Sequence, residues 1–313
     1  MRKQAPNAVS SKRSEETTAK SREIGTALRR AREEAGLNQV DICRPLDWGA
    51  PRVSRMESGQ REGSTMEIVT YLAHVRTAPK EFDRLKRLSE IPANGYDLQR
   101  HPVGLHDQLP TLEFLHASAK KMTFYEPQRI PSLLQTEQYA EAVLRRDRDP
   151  KDPVVTAGVR SHMARQDILK NARPGFDATF YIDEIVLRDI TMRETMEEQL
   201  INLTIAACLP HCHVRIIPTT CFDYELSIPF SLFDDFDNNS VLTIHTASAT
   251  LILEDTEDMV PYLRKLEKFR ESALSDHQSA QKINSIYSTD DRAVQSKTGI
   301  PLRPHLPASE FVH

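Results

Sequence analysis

The chain has 313 residues, of which 39% are hydrophobic and 27% charged, with a formal net charge of -4; this length suits one small and one larger domain, and the composition excludes wholesale disorder. No window approaches the ~18 uninterrupted apolar residues of a membrane span, and the opening MRKQAPNAVSSKRS has no apolar run behind its charges to make a signal peptide, so a soluble, cytoplasmic chain is expected. Among the ten glycines no two stand two apart, which removes the dinucleotide fingerprint, and the spacings of a P-loop and a nucleophile elbow fail as well.

Residues 1–80 hold 15 Lys and Arg against 10 Asp and Glu; subtraction from the totals of 41 and 45 leaves 26 against 35 for the remainder. A basic N-terminal part joined to an acidic C-terminal part suggests that only the first faces a polyanion. Residues 1–20 are polar without apolar period and are expected to form a disordered arm. From there to residue 90 the spacing predicts five short helices. The first carries Ile24, Leu28, Ala31 and Ala35 on one face and stops at Gly36. The second follows the Asn38/Asp41 capping pair and turns Ile42 and Leu46 inward, with Pro45 expected to kink it or end it early. The third runs from Ala50 to Ser58 and is stopped by Gly59. The fourth, Thr65 to Val75, is expected to bury Met66, Val69, Leu72 and Ala73, and the fifth opens at Pro79.

Residues 91–110, rich in Pro and Gly, read as a linker. Residues 111–288 read as a mixed α/β domain, a small sheet flanked by helices, so that the fold class is α+β overall. Helices are expected at Thr111–Lys121, Thr136–Arg146 and Ala157–Lys170, and from the Thr191/Glu194 capping box through Met192, Met196, Leu200, Leu203 and Ala207. Strands are expected at 178–186, 212–218, 228–236, 240–246 and 250–254. A long helix from Asp255 to Leu274 turns Val260, Leu263, Leu266 and Phe269 inward, a shorter one reaches Tyr287, and residues 289–313 read as a disordered tail.

Val53-Ser54-Arg55-Met56-Glu57-Ser58-Gly59, preceded by Leu37-Asn38-Gln39, resembles the Xre-type helix-turn-helix of repressors over about residues 24 to 90. The resemblance implies that the third helix enters the major groove of double-stranded DNA. Val53 and Met56 can bury together while Arg52 and Arg55 face the other way, toward guanine edges or phosphates. Ala50 and Pro51 occupy first-turn positions that often carry base-reading amides. Gln39, at the start of the second helix, is placed to hold a phosphate, with Gln60 and Arg61 on the next ones. The family counterparts of Arg32 and Glu57 pair with each other between the first and third helices, which implies a structural ion pair. Asp47 stands where the family usually has a glycine.

Tyr125-Glu126-Pro127, Ile130-Pro131-Ser132-Leu133-Leu134-Gln135-Thr136 with Tyr139 and Ala140, Ala164-Arg165-Gln166, and Ile182-Asp183-Glu184 with Leu187-Arg188 resemble the C-terminal domain of bacterial antitoxin-like transcriptional regulators, with Ser132 in place of a glycine. The resemblance implies transcriptional regulation, often with a small partner protein encoded nearby. Glu126, Gln135, Tyr139, Arg165, Asp183 and Glu184 form the candidate partner or ligand surface; they could line a shared cleft or tie elements together. Double-stranded operator DNA and a homodimer complete the expected partners, with no cofactor and no metal.

Cys208, His211, Cys212 and His213 invite zinc, but Pro210 breaks the helix after Cys208, and strand alternation turns Cys212 inward and the two histidines out. Asp234, Asp235, Asp237, Asn238 and Asn239 lack the glycine and final glutamate of a calcium loop and read as a hairpin turn. Adjacent Asp183 and Glu184 suggest acid–base chemistry, yet neighbours on a strand face opposite ways. The expectation is therefore a DNA-binding transcriptional regulator without catalytic residues. A hydrolase or nucleotide-using sensor with an accessory helix-turn-helix is the alternative, disfavoured by the missing glycine loops and metal motifs.

Overall fold

A computed structural model describes residues 17–92, 98–101, 109–146, 148–149, 152–188, 193–221 and 228–298. The chain divides into two compact units, Met1–Gln99 and Arg100–His313. The first is built from α1 (Ala19–Glu34), α2 (Gln39–Leu46), α3 (Ala50–Glu57), α4 (Thr65–His74) and α5 (Pro79–Glu90). Side-chain caps set the starts of α1 and α4: the Thr18 hydroxyl accepts from the Ser21 N–H, and the Ser64 hydroxyl from the Glu67 N–H, each satisfying a donor that the first turn leaves open. Ile24, Leu28, Ile42, Val53, Met56, Ile68, Tyr71, Leu72 and Leu85 make the core. At Gly25 a Cβ would lie 2.5 Å from the Met56 carbonyl oxygen, so α1 and α3 cross at a separation that only glycine permits.

Two details of this unit differ from expectation, and the early end of the second helix agrees with it. The first helix begins at Ala19, inside the arm expected to be disordered, and Ala35 is exposed. Met66 is 74% exposed and Ala73 is also exposed; Leu72 is buried as expected, and it shares the inward side of the helix with Ile68, Tyr71 and Val75. α2 ends at Leu46, one residue beyond Pro45, and Asp47 takes the left-handed turn at φ 53°.

The second unit holds one mixed sheet. Its strands are β2 (Ala119–Glu126), β3 (Asp177–Asp183), β4 (Cys212–Ile217), β5 (Phe230–Asp235), β6 (Ser240–His245) and β7 (Ala249–Leu253), with β1 (Leu98–Arg100) falling on the division at residue 100; the spatial order is β1-β7-β6-β5-β2-β3-β4. β2, β3 and β4 are parallel neighbours, whereas β2–β5, β5–β6 and β6–β7 are antiparallel. Between strands lie α6 (Pro110–Ser118), α7 (Glu137–Arg145), α8 (Pro153–Arg165), α9 (Asp167–Lys170) and α10 (Arg193–Ala206); α11 (Thr256–Ser272) and α12 (Asp276–Thr298) close the chain. Phe124 and Tyr125 point to opposite faces. Phe124 stacks on Phe180 and meets Phe233 and His116 of α6, while Tyr125 and Tyr181 pack on Phe269 of α11. Both faces of the central strands are thus covered, which is the condition parallel pairing requires.

The expected helix at Thr111–Lys121 ends at Ser118, and the chain continues as β2, the strand at the middle of the sheet. Two-sided burial explains the miss: Thr123-Phe124-Tyr125 shows no apolar/polar alternation to betray a strand. β1 lies in the segment read as linker. The helix expected from Ala157 begins at Pro153 and breaks at Gln166. The strand read over 178–186 ends at Asp183 and gives way to a 3-10 turn, so Glu184 is not a strand residue. α12 runs on to Thr298, past the boundary set at residue 288. The Thr191 cap, Met192 and residues 299–313 lie outside the described residues.

Candidate nucleic-acid interface

α3 presents Ala50, Pro51, Ser54, Arg55 and Ser58 to solvent and turns Val53, Met56 and Glu57 inward. What fixes that orientation is a network on Glu57. Its Oε1 accepts Arg32 Nε at 2.8 Å and the Tyr71 hydroxyl at 2.6 Å; its Oε2 accepts Arg32 Nη2 at 2.8 Å and Gln39 Nε2 at 3.0 Å. Arg32 also donates to the Leu37 carbonyl at 2.8 Å. One carboxylate therefore ties together α1, α2, α3 and α4. Burial pushes the Glu57 pKa up, but its donors, Arg32 first, outweigh that and hold it below the ordinary value. Its hydrogen bond holds the Arg32 guanidinium protonated, and Tyr71 is raised chiefly by burial.

Gln39 accordingly donates its amide N–H to this network. Tyr71 is a member that motif reading missed; its inward position on α4, facing a carboxylate, is the signal that it carries.

Arg52 has partners within the protein that the sequence reading did not include. Its guanidinium lies 4.3 Å from the centre of the Trp48 ring and pairs with the Glu67 carboxylate of α4, to which Arg61 donates at 2.8 Å. Glu67 Oε2 also accepts the Ser64 N–H at 2.7 Å. Burial opposes ionisation of Glu67, but these donors together bring its pKa down to about 2. Arg55 stays exposed, bonding its Nε to the Pro51 carbonyl at 3.2 Å, and makes no ion pair among the described residues. Gln60 is exposed just beyond the helix. Of the seven residues read as DNA contacts, Ala50, Pro51, Arg55 and Gln60 thus stand on the surface, Arg52 and Arg61 are braced by Glu67, and Gln39 is engaged internally.

In the second unit the motif residues tie elements together. Gln135 is buried and donates to the Ile130 carbonyl at 2.7 Å, and the Ile130 N–H donates to the Tyr139 hydroxyl at 3.2 Å. Gln166 donates to the Gln135 carbonyl at 2.6 Å, while Gln199 and Asn202 both donate to Leu134 O at 2.6 and 2.8 Å. The Ile130–Thr136 run is therefore a loop held by side-chain amides, which satisfy backbone groups that no sheet or helix could reach. Gln199 and Asn202 were not legible as partners, since they lie on α10, more than sixty residues away.

Glu126 pairs with Arg129 at 3.5 Å, Glu184 with Lys282 at 2.7 Å and Arg188 at 3.6 Å, and Arg165 donates to Ser161 at 2.7 Å. Asp183 accepts from Tyr125 at 3.2 Å, and burial raises its pKa to about 6. Of the two alternatives left open for these residues, the contacts are those of ties between elements. A groove of about 540 Å³ opens between α6 and the α8–α9 bend, where Leu109, His116, Ser161, Ile168, Arg173 and the candidate residue Arg165 are among its walls.

Cys212 is buried on β4 and its thiol is pushed up to about 12, mainly by burial. His211 bonds the Leu169 carbonyl and His213 the Asp276 carboxylate, both at 2.7 Å; the two histidines expected to point outward are partly buried in these contacts. Among the described residues no group of three or more His, Cys, Asp or Glu is placed to hold a metal, and no helix is long and apolar enough to cross a membrane.

Residues 23–85 match the family model described as Helix-turn-helix domain, and residues 109–285 match Domain of unknown function (DUF5753). No curated protein matches the chain. Among solved structures, TrmBL2, described as an archaeal chromatin protein with a novel mode of DNA binding, is similar at 10% identity and a TM-score of 0.29, over 67% of this chain and 66% of that one. The second family match spans more than half of the 313 residues, so the chain belongs to the DUF5753 family and carries a helix-turn-helix domain ahead of that region.

Proposed function

We propose that the chain is a sequence-specific, double-stranded DNA-binding regulator of transcription, of the Xre and antitoxin-like kind, that acts as a homodimer on an operator. One observation carries this reading: α3 exposes Arg55 with a row of small residues while the Arg32–Glu57–Tyr71–Gln39 network locks its opposite face. Small residues let a helix approach the floor of the major groove, and arginine suits the paired acceptors of guanine. A second copy is part of the reading because one such helix reads only a few base pairs.

The second unit is proposed to bind a partner protein or a signal, with no catalytic step. Three observations support that reading. The groove bears Arg165 and Arg173 beside apolar walls. Ile201 and Ile205 lie exposed one turn apart on α10. Glu184, the candidate base, is held in ion pairs with Lys282 and Arg188. A ligand at such a site would change operator affinity only by as much as it prefers one arrangement of the dimer.

Selection of bound duplexes from random DNA tests the reading. Two half-sites centred about one helical turn apart are expected. A selected pool with no sequence in common would overturn it. For the second unit, operator affinity is to be measured with and without the product of the neighbouring gene; equal affinity, together with turnover of a substrate that Glu184→Gln abolishes, would replace this reading with an enzymatic one.

A further inference from the structure

Glu67 sits where the N-terminus of α4 meets the exposed side of α3. Its carboxylate gathers two cations from different places in the chain: Arg52 from the first turn of α3 and Arg61 from the loop that follows it. Trp48, in the turn between α2 and α3, supplies a flat wall under Arg52. Both arginine side chains remain 36–37% exposed. Arg52 Nε and Arg61 Nη1 are buried and find no hydrogen-bond partner among the described residues, so what each guanidinium offers a phosphate lies on the exposed part of its side chain.

Two unrestrained arginines beside a reading helix would attract phosphates of any sequence, because phosphate attraction carries no sequence information. A shared carboxylate changes this in two ways. It cancels one of the two charges and repels phosphates that approach in the wrong place, which is a penalty on incorrect complexes. It also fixes two long side chains in advance, so that their ordering is not charged against the correct complex.

We infer that Glu67 is a specificity-determining positioning residue: it braces Arg52 and Arg61 against Trp48 so that the pair meets backbone phosphates only when α3 is seated in its own register. This inference rests on the DNA-binding reading. It differs from a simple capping role, because glutamine at the same position retains the cap on Ser64 but cannot hold two guanidinium groups by charge.

The test compares the full-length protein with its Glu67→Gln variant on a duplex selected from random DNA and on a scrambled duplex of the same composition, from about 50 to 200 mM salt. The variant is expected to bind the scrambled duplex more tightly, with a salt slope steeper by about one phosphate contact, and to lose about tenfold in discrimination between the duplexes. Trp48 is the only tryptophan, so its emission should shift as Arg52 leaves the ring.

Arg52→Lys gives an independent arm. It keeps the charge but not the planar fork, and should lower discrimination without changing the salt slope. Discrimination equal to that of the unaltered protein in both variants overturns the inference and leaves the reading of α3 intact. Failure of the unaltered protein to prefer the selected duplex overturns both.

Discussion

Glu57 in the first unit and Asp183 in the second are both buried carboxylates, and their surroundings drive them in opposite directions. Glu57 receives four hydrogen bonds, two of them from one guanidinium, and its pKa falls. Asp183 receives the Tyr125 hydroxyl at 3.2 Å, is attracted more weakly by the charge of Lys265, and its pKa rises to about 6 because burial dominates. Burial alone does not decide the charge of a core carboxylate; the number and charge of its donors do. In the small helical unit the ionised pair is the joint between helices, whereas in the larger unit aromatic packing on both faces of the sheet carries that burden and the acid is an expensive inclusion.

The sharpest way to break this contrast is to remove one partner from the first unit. Arg32→Ala leaves Glu57 buried with its bidentate partner gone, and should cost the unit about 3–5 kcal/mol. Urea unfolding followed by Trp48 emission reports on that unit specifically. A loss below about 1 kcal/mol, the range of exposed pairs, would mean that the network is not the joint.

The pH dependence comes next. Asp183 binds its proton more tightly in the folded chain than at its ordinary value of 3.8, so its contribution is fully present below about pH 4 and is lost as pH rises through about 6, by up to about 3 kcal/mol. Glu57 has the reverse sign: its lowered pKa stabilises the fold above about pH 4.5 and that contribution fades in acid. Unfolding of the second unit monitored by circular dichroism should show the Asp183 slope, and Asp183→Asn should flatten it between pH 4 and 6. Identical slopes in the two proteins would remove Asp183 from the explanation.

Smaller effects separate the two units further. Gln166→Ala leaves the Gln135 and Ser132 carbonyls short of a donor and should cost about 1–3 kcal/mol in the second unit, without altering the Trp48 transition. Asp47→Gly should stabilise the first unit by about 1 kcal/mol, since the left-handed turn at φ 53° strains any residue with a Cβ. A destabilised Asp47→Gly protein would point to a contact of the aspartate that outweighs the turn.

The same contrast explains what could be read from the chain alone. The helical unit was legible because short-range signals build it: the Asn38/Asp41 cap, the stop at Gly59 and the 3.6-residue period of Ile24, Leu28 and Ala31. Even there, the face of α4 was misjudged in part, because Met66 and Ile68 are equally apolar and only packing against the other helices decides between them. In the second unit β2 was invisible to periodicity, yet a signal existed. Thr123-Phe124-Tyr125 repeats as Thr179-Phe180-Tyr181, and the two triplets lie side by side in register. Long-range ties, Gln199 to Thr136 and Leu134 above all, leave no local trace. The fates of Arg52 and Gln39 escaped for the same reason, since Glu67 and Glu57 reach them from other helices.

Affinity of the full-length protein and of Arg55→Ala for the selected duplex, each set against a scrambled duplex, probes the reading of α3 most directly. Arg55 is exposed and free of the Glu57 network, so the variant should fold as the unaltered protein does. Loss of about 1–3 kcal/mol on the selected duplex, with preference relaxed at one base position in each half-site, is the expected result. Equal affinity and equal preference in the two proteins would contradict it and remove α3 as the reading helix.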